Sequence, residues 1–319
     1  MLKPSSIAVV AGAFGAVLLV AFLKGSVLGV LIGAMLSPLP LAMAVLGLGT
    51  VYLPVAVIGG AVTVLALTGS FVLASVYLVV DAAPVAVLTR FIRMAPPDDQ
   101  GPSIGRGVAV LTVGVVVVML AALLLMPADA GGIEATLRAR LDQVMQSSVD
   151  GMSGALSGSG VDLAQARTDL VRSMAGLLPG AAAWNWSLRA LISAAVGQAM
   201  LRRMGLALVE TPAYRRFELP GWVFIVLAGT AGLALLTKGD LGFLAGNAAV
   251  ALSLPAVLQG LAVVHCAFAR FVHPKTGLAV FYSTALLIPT ISVIALVVAG
   301  VADHFFKLRG RMAQAQGGQ

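Results

Sequence analysis

A chain of 319 residues with 60% hydrophobic and only 10% charged side chains cannot be solvated by water over most of its surface, and its mean hydropathy of +1.02 places it in a bilayer. The net charge of +7 does not point to nucleic acid: Lys and Arg stand at the ends of apolar runs, where they snorkel, and no basic stripe interleaves with aromatics. Cys266 is the only cysteine, which excludes an intrachain disulfide and a multi-cysteine metal site; in an apolar run it reads as a buried, inert thiol.

Crossing roughly 30 Å of hydrocarbon takes about 20 apolar residues. On that measure the candidate spans are 6–23, 26–49, 51–68, 70–90, 107–126, 180–201, 220–237, 241–269 and 276–302, giving eight or nine crossings. The expected fold is an all-α, polytopic transmembrane helix bundle with one extramembrane helical hairpin. Its blocks are 1–126, 127–179, 180–303 and a basic, polar tail, 304–319.

Lys3 ahead of the apolar stretch Ile7–Phe22 has the outline of a signal peptide, but no small-x-small site leads into a soluble chain, so the stretch reads as the first helix. It carries a row of small residues, Ala8, Gly12 and Ala16. Next comes the clearest packing pattern, Gly25, Gly29 and Gly33, extended by Ala21 and Ser37 at the same four-residue spacing. Such rows let another backbone approach, either within the chain or from a partner membrane protein. Ser37-Pro38-Leu39-Pro40-Leu41 then interrupts the apolar run, and Pro38 and Pro40 remove two backbone donors, so a helix break is expected there. Across 51–90, Gly69, Ser70, Asp81 and Pro84 allow two short spans, or one longer span plus an interfacial helix. Asp81 either lies inside the membrane as a functional group or marks the interface.

The loop Thr89–Gly107 holds Arg90, Arg93 and Arg106 and should be cytoplasmic, as should the basic loop from Arg202-Arg203 to Arg215-Arg216. Between them, 127–179 is the one substantial hydrophilic piece, with acidic residues in excess over arginines, so it belongs on the opposite side. Apolar residues at helical spacing (Ile133, Leu137, Leu141, Val144, Met145, then Leu163, Ala166, Leu170, Met174, Leu177) flank the Gly/Ser-rich stretch Gly151–Gly160, which predicts an amphipathic hairpin capping the bundle. Further on, Asn185, Arg189 and Gln198 share one apolar helix, and Asn247, Gln259 and His265 another. Gln259 and His265, six residues apart, point about 240° from each other around a helix. A weaker small pair, Gly242 and Gly246, opens the second of these helices. If 276–302 is a single crossing, the C-terminus falls outside the cytoplasm, against the preference of Lys307, Arg309 and Arg311.

Catalytic inventories are missing: there is no paired-His motif, no serine elbow and no phosphate-binding glycine loop, while His273 and His304 are too scattered for a metal set. The chain therefore reads as no enzyme, with no metal or cofactor. An intramembrane enzyme would need two titratable residues within reach, such as Asp81 and His265. Asp81, Asn247, Gln259 and His265 are instead candidate ligand contacts. A small-molecule binder predicts that several of them converge on a polar pocket; a scaffold or assembly factor predicts that they satisfy one another inside a packed core.

Toward the C-terminus, Leu258-Gln259-Gly260-Leu261-Ala262-Val263-Val264-His265 and Ala302-Asp303-His304-Phe305-Phe306-Lys307-Leu308-Arg309 resemble the YybS-like family of predicted bacterial membrane proteins, domain of unknown function 2232. Pro38-Leu39-Pro40-Leu41, Leu178-Pro179 with Ala181-Ala182-Ala183-Trp184, and Phe217-Glu218-Leu219-Pro220-Gly221-Trp222 carry the resemblance over most of the chain. It departs at Ser193-Ala194-Ala195, where relatives carry Leu-Asn-Leu, and Cys266 follows the histidine where alanine is usual. The family is distantly similar to the substrate-binding membrane components of energy-coupling-factor transporters. That likeness implies an inner-membrane, multi-pass protein that binds a small molecule and docks through small residues of its first helix on a coupling protein driven by paired ATPases, or else on a second copy of itself.

Overall fold

The computed structural model of the chain describes residues 3–25, 33–94, 100–128, 131–156, 165, 168, 171, 174–211 and 213–317, and every regular element among them is helical. Among the described residues six helices are long and apolar enough to cross a membrane: Pro4–Leu23, Thr50–Thr68, Phe71–Arg93, Ser103–Leu124, Gly239–Phe268 and Pro289–Phe306. Two shorter apolar helices, Pro38–Leu48 and Trp222–Leu236, accompany them. Large apolar side chains are exposed along these helices, among them Val10, Ile58, Phe71, Ile225 and Val298. Such a surface is solvated by lipid.

The chain divides into two compact units. The first comprises Met1–Leu111, Trp186–Gly221 and Pro255–Gln319. Here α1 (Pro4–Leu23) buries Ala8, Gly12, Gly15 and Ala16 on one face. Across that face runs α4 (Leu53–Thr68), so close that a Cβ on Gly12 would collide with the Ala56 carbonyl. The small-residue spacing is thus consumed by two backbones of the same chain. Ahead of α4 lie the single turn α2 (Ala34–Leu36) and α3 (Pro38–Leu48). Pro38 and Pro40 fall in the first turn of α3, where the absent N–H groups have no intrahelical partner to lose. Ser37 keeps helical angles (φ −56°, ψ −36°), so the proline pair restarts a helix rather than unwinding the chain.

Gly49 (φ 116°) ends α3, and Gly69 (φ 67°) ends α4 in the left-handed conformation that glycine tolerates. Ser70 Oγ then accepts from Leu73 N and caps α5 (Phe71–Tyr77). Residues 51–90 thus form two helices. A π turn, Leu78–Ala82, carries α5 into α6 (Ala83–Met94), and α7 (Gln100–Leu124) follows. The latter part of α9 (Leu178–Arg203), the segment 204–221 and the latter part of α11 (Gly239–Phe268) complete the middle of this unit.

The expected single span 276–302 is in fact two helices, α12 (Pro274–Leu287) and α13 (Pro289–Phe306). Pro289 disfavours helical angles at Ile288, which sits at φ −128°, ψ 64°. Against α11, α13 packs through reciprocal glycines: a Cβ on Gly260 would strike the Leu296 carbonyl, and one on Gly300 the Ala256 carbonyl. Lys307 (φ 50°) turns the chain into α14 (Leu308–Gly317).

The second unit comprises Thr112–Asn185 and Trp222–Leu254. It contains α8 (Gly132–Leu156), α10 (Trp222–Leu236), the start of α9 and the start of α11. Helix α8 is the first arm of the expected hairpin, but it continues through Gly151 to Leu156, so that part of the expected turn is helical. Residues 157–160, and most of the second arm, lie outside the described residues.

Candidate functional site

Pro84 has no N–H, so it cannot donate to the carbonyl of Val80, four residues earlier. Helix α9 supplies two donors: Trp186 Nε1 donates to Val80 O at 2.8 Å and Arg189 Nη2 at 3.3 Å. The same guanidinium donates to Asp81 Oδ1 at 2.6 Å. Both side chains are buried, Arg189 to 6% and Asp81 to 0% relative exposure, so this is an ion pair removed from water. The π turn at Leu78–Ala82 rotates Asp81 onto that partner. Ser37 and Tyr77 lie within electrostatic reach of the carboxylate. Ser37 Oγ is buried beside the carboxylate, and Tyr77 OH is buried without a hydrogen-bond partner. Ser193 Oγ, one turn beyond Arg189, donates to Met35 O at 3.2 Å.

Another face of α9 borders a cavity of about 450 Å³. Leu188, Leu191 and Ile192 of α9 form one wall, Leu88, Phe91 and Ile92 of α6 a second, and Thr211, Ala213, Tyr214 and Phe217 of the following segment a third. The lining is hydrocarbon and aromatic apart from Thr211 and, buried in the wall, Gln198. Gln198, 3% exposed, donates through Nε2 to Val209 O at 2.7 Å, while its Oε1 is buried and unpartnered. The volume lies within the range typical of small-molecule sites. Sequence reasoning placed Gln198 on an apolar helix but could not see the cavity, which is space left between segments far apart in the chain.

The four candidate ligand contacts do not meet. Asp81 is engaged as above. Asn247, in the second unit, caps α9: its Oδ1 accepts from Gly180 N at 2.8 Å, and its Nδ2 donates to Gly176 O and Phe243 O. Asp240 does the same for α8, accepting from Ile133 N at 2.8 Å. Gln259 bridges two segments, accepting from Leu219 N at 3.1 Å and donating to Asp303 Oδ2 at 3.0 Å. Asp303 is paired with Arg309, whose Nη1 also donates to the Arg215 and Phe217 carbonyls at 2.8 and 2.7 Å. His265, half-buried, shares a 2.8 Å hydrogen bond with Tyr282 and an edge-on ring contact with Tyr214. Asp81 and His265 therefore have different partners. No group of His, Cys, Asp and Glu suited to a metal ion occurs among the described residues.

Of the remaining small residues, Gly33 abuts the Leu18 carbonyl of α1, Gly25 (φ 68°) has open space around it, and Gly29 lies outside the described residues. The residues sequence reading missed are Trp186, Tyr77, Asp303 and Tyr282, together with the role of Arg189 as partner of Asp81. Only the Pro84–Val80 relation was readable in advance, since a proline inside a helix cannot donate to the carbonyl four residues earlier.

Neither the curated proteins nor the solved structures contain a match to this sequence. A family described as "Predicted membrane protein (DUF2232)" matches residues 13–304, a stretch that includes the Asp81–Arg189 pair, the cavity and the Gln259–Asp303 bridge. The chain belongs to this family of membrane proteins, domain of unknown function 2232.

Proposed function

We propose that this protein is a non-enzymatic, multi-pass protein of the bacterial inner membrane that binds a small molecule of apolar character, and that it serves as the ligand-binding component of a transporter. The observation that carries the reading is the cavity beside α9, about 450 Å³, with largely hydrocarbon and aromatic walls. The polar residues expected to bind ligand are not the basis of it, because Asn247 and Gln259 spend their hydrogen bonds on backbone and on Asp303. Energy for ATP-driven transport would come from other subunits, as in the energy-coupling-factor systems, and the membrane partner is such a coupling protein or a second copy of this chain. Docking through Ala8, Gly12 and Ala16 would compete with α4, which already covers them, so a partner has to meet another face.

A scaffold or assembly factor is the second reading, supported by the way Asn247, Asp240, Gln259 and Asp303 all serve to fix helix ends and loops. Purifying the tagged protein from native membranes in mild detergent separates the two. Mass spectrometry is expected to find a stoichiometric small molecule that is lost when the cavity is filled by Leu191→Trp. An empty protein recovered with envelope-assembly proteins would overturn the binding reading in favour of the scaffold.

A further inference from the structure

Tyr214, His265 and Tyr282 bring together the segment ahead of α10, the end of α11 and the middle of α12, all within the first unit. Tyr214 spends its hydroxyl on the Leu258 carbonyl at 2.7 Å and meets the His265 ring at 82°, which holds the imidazole from one side. From α12, Tyr282 OH lies 2.8 Å from His265 Nε2. With the proton on Nε2 the imidazole donates to the phenol. The phenolic O–H, on a side chain that is 46% exposed, is then left to donate outward. Arg215 lies within electrostatic reach of His265, and its carbonyl accepts from Cys266 Sγ at 3.8 Å. Arg309 is closed on Asp303, whereas the exposed Arg215 and Arg216 make no side-chain hydrogen bond or salt bridge with any described residue. Along the turn after α11 and on α12 itself, Phe271, Val272, Val280 and Leu286 are exposed, and α12 has no buried residue. Lipid hydrocarbon is what covers such a surface.

We infer that this cluster binds the head group of an anionic phospholipid. Arg215 and the Tyr282 hydroxyl donate to the phosphate, His265 and Tyr214 position that hydroxyl, Arg216 adds charge, and the acyl chains run along α12. A guanidinium suits a phosphate because it offers paired N–H groups and keeps its charge. The sign of the patch decides which phospholipid. Residues 213–221 and 265–288 carry Arg215, Arg216, Arg270 and Lys275 against one carboxylate, Glu218. A head group with its own ammonium meets repulsion there, so the fit is to one without a cation, such as phosphatidylglycerol. Since the basic segment is retained on the cytoplasmic side, the lipid belongs to the inner leaflet. The site is independent of what occupies the cavity beside α9.

The test is native mass spectrometry of the full-length protein in detergent, titrated with phosphatidylglycerol or with phosphatidylcholine of the same acyl chains. A cation near an anionic lipid contributes about fivefold to binding, so the two free arginines should give the first phosphatidylglycerol a preference of about thirtyfold. Arg215→Gln with Arg216→Gln should erase it, while Arg202→Gln with Arg203→Gln, a second exposed basic pair, should leave it in place. Tyr282→Phe keeps the ring and should weaken phosphatidylglycerol severalfold. Equal binding of the two lipids by the unaltered protein overturns the inference, and that comparison needs no variant to fold. Equal weakening by the two double variants, as a diffuse basic surface would give, overturns it too. Release of the bound lipid by millimolar inorganic phosphate would mark a site for a soluble anion and overturn the choice of a lipid.

Discussion

Asp81 and Arg189 illustrate how much a membrane protein invests in one polar contact. Each charge alone would be costly in a medium with no water to solvate it. Together, at 2.6 Å and with the Val80 carbonyl on the same guanidinium, they share that cost. The arrangement implies a strongly non-additive response to mutation. Asp81→Asn or Arg189→Met alone leaves one buried charge unpaired and should destabilise the fold by about 3–5 kcal/mol. The double variant should be more stable than either single one, because it removes both charges at once. Thermal unfolding in detergent gives the comparison. Additive losses would mean that the pair is not coupled, and the account of Val80, Pro84 and the π turn as its supports would go with it.

At the scale of helices, spacing in the sequence foretold a great deal. The first helix, the pair of helices across 51–90 and the apolar stretches within α7, α9, α10 and α11 all fall within a few residues of their expected ranges, because each is an apolar run bounded by glycine, proline or charge. Leu287-Ile288-Pro289 carried the same kind of signal, and giving it full weight would have divided 276–302 correctly. Partners were not legible. Asp81 and Arg189 are 108 residues apart, Gln259 and Asp303 44, and no periodicity within one helix says which other helix lies against it. The small-residue row on α1 shows the boundary well: its spacing revealed a close crossing, and only the coordinates reveal that α4 fills it. A pair of substitutions tests that crossing. Gly12→Ala drives a methyl group into the Ala56 carbonyl and should lower the yield of folded protein sharply. Gly229→Ala, in α10 with nothing within 4 Å, should be neutral or raise stability by up to about 1 kcal/mol, the ordinary gain in a helix. Equal effects of the two on folded yield and melting temperature would show that α1 and α4 do not cross at Gly12.

Topology is a property of the whole chain, and the division of 276–302 changes it. Counting that stretch as one crossing set the C-terminal cations against the basic loop before α10. With α12 and α13 separate, the C-terminal cations are no longer forced onto the side opposite that loop, and contacts within the first unit bring the two together. Arg309 reaches the Arg215 and Phe217 carbonyls, and Gly105 of α7 abuts the Glu218 carbonyl. The turn at Lys307, the segment around Arg215-Arg216 and the start of α7 with Arg106 are consequently neighbours. A cluster of cations of this kind is retained on the cytoplasmic side during insertion. Both the end of α9 and the start of α14 should therefore face the cytoplasm. Replacing Cys266 by serine removes the native thiol, after which Arg203→Cys and Arg311→Cys each offer one exposed reporter. Both are expected to react with a membrane-impermeant maleimide in inside-out vesicles and to resist it in intact cells. If Arg311→Cys reacted from outside while Arg203→Cys reacted from inside, the contact between Arg309 and the Arg215 carbonyl could not exist in the membrane. The bridge through Asp303 to Gln259 would then fail along with it, since the same arginine closes both.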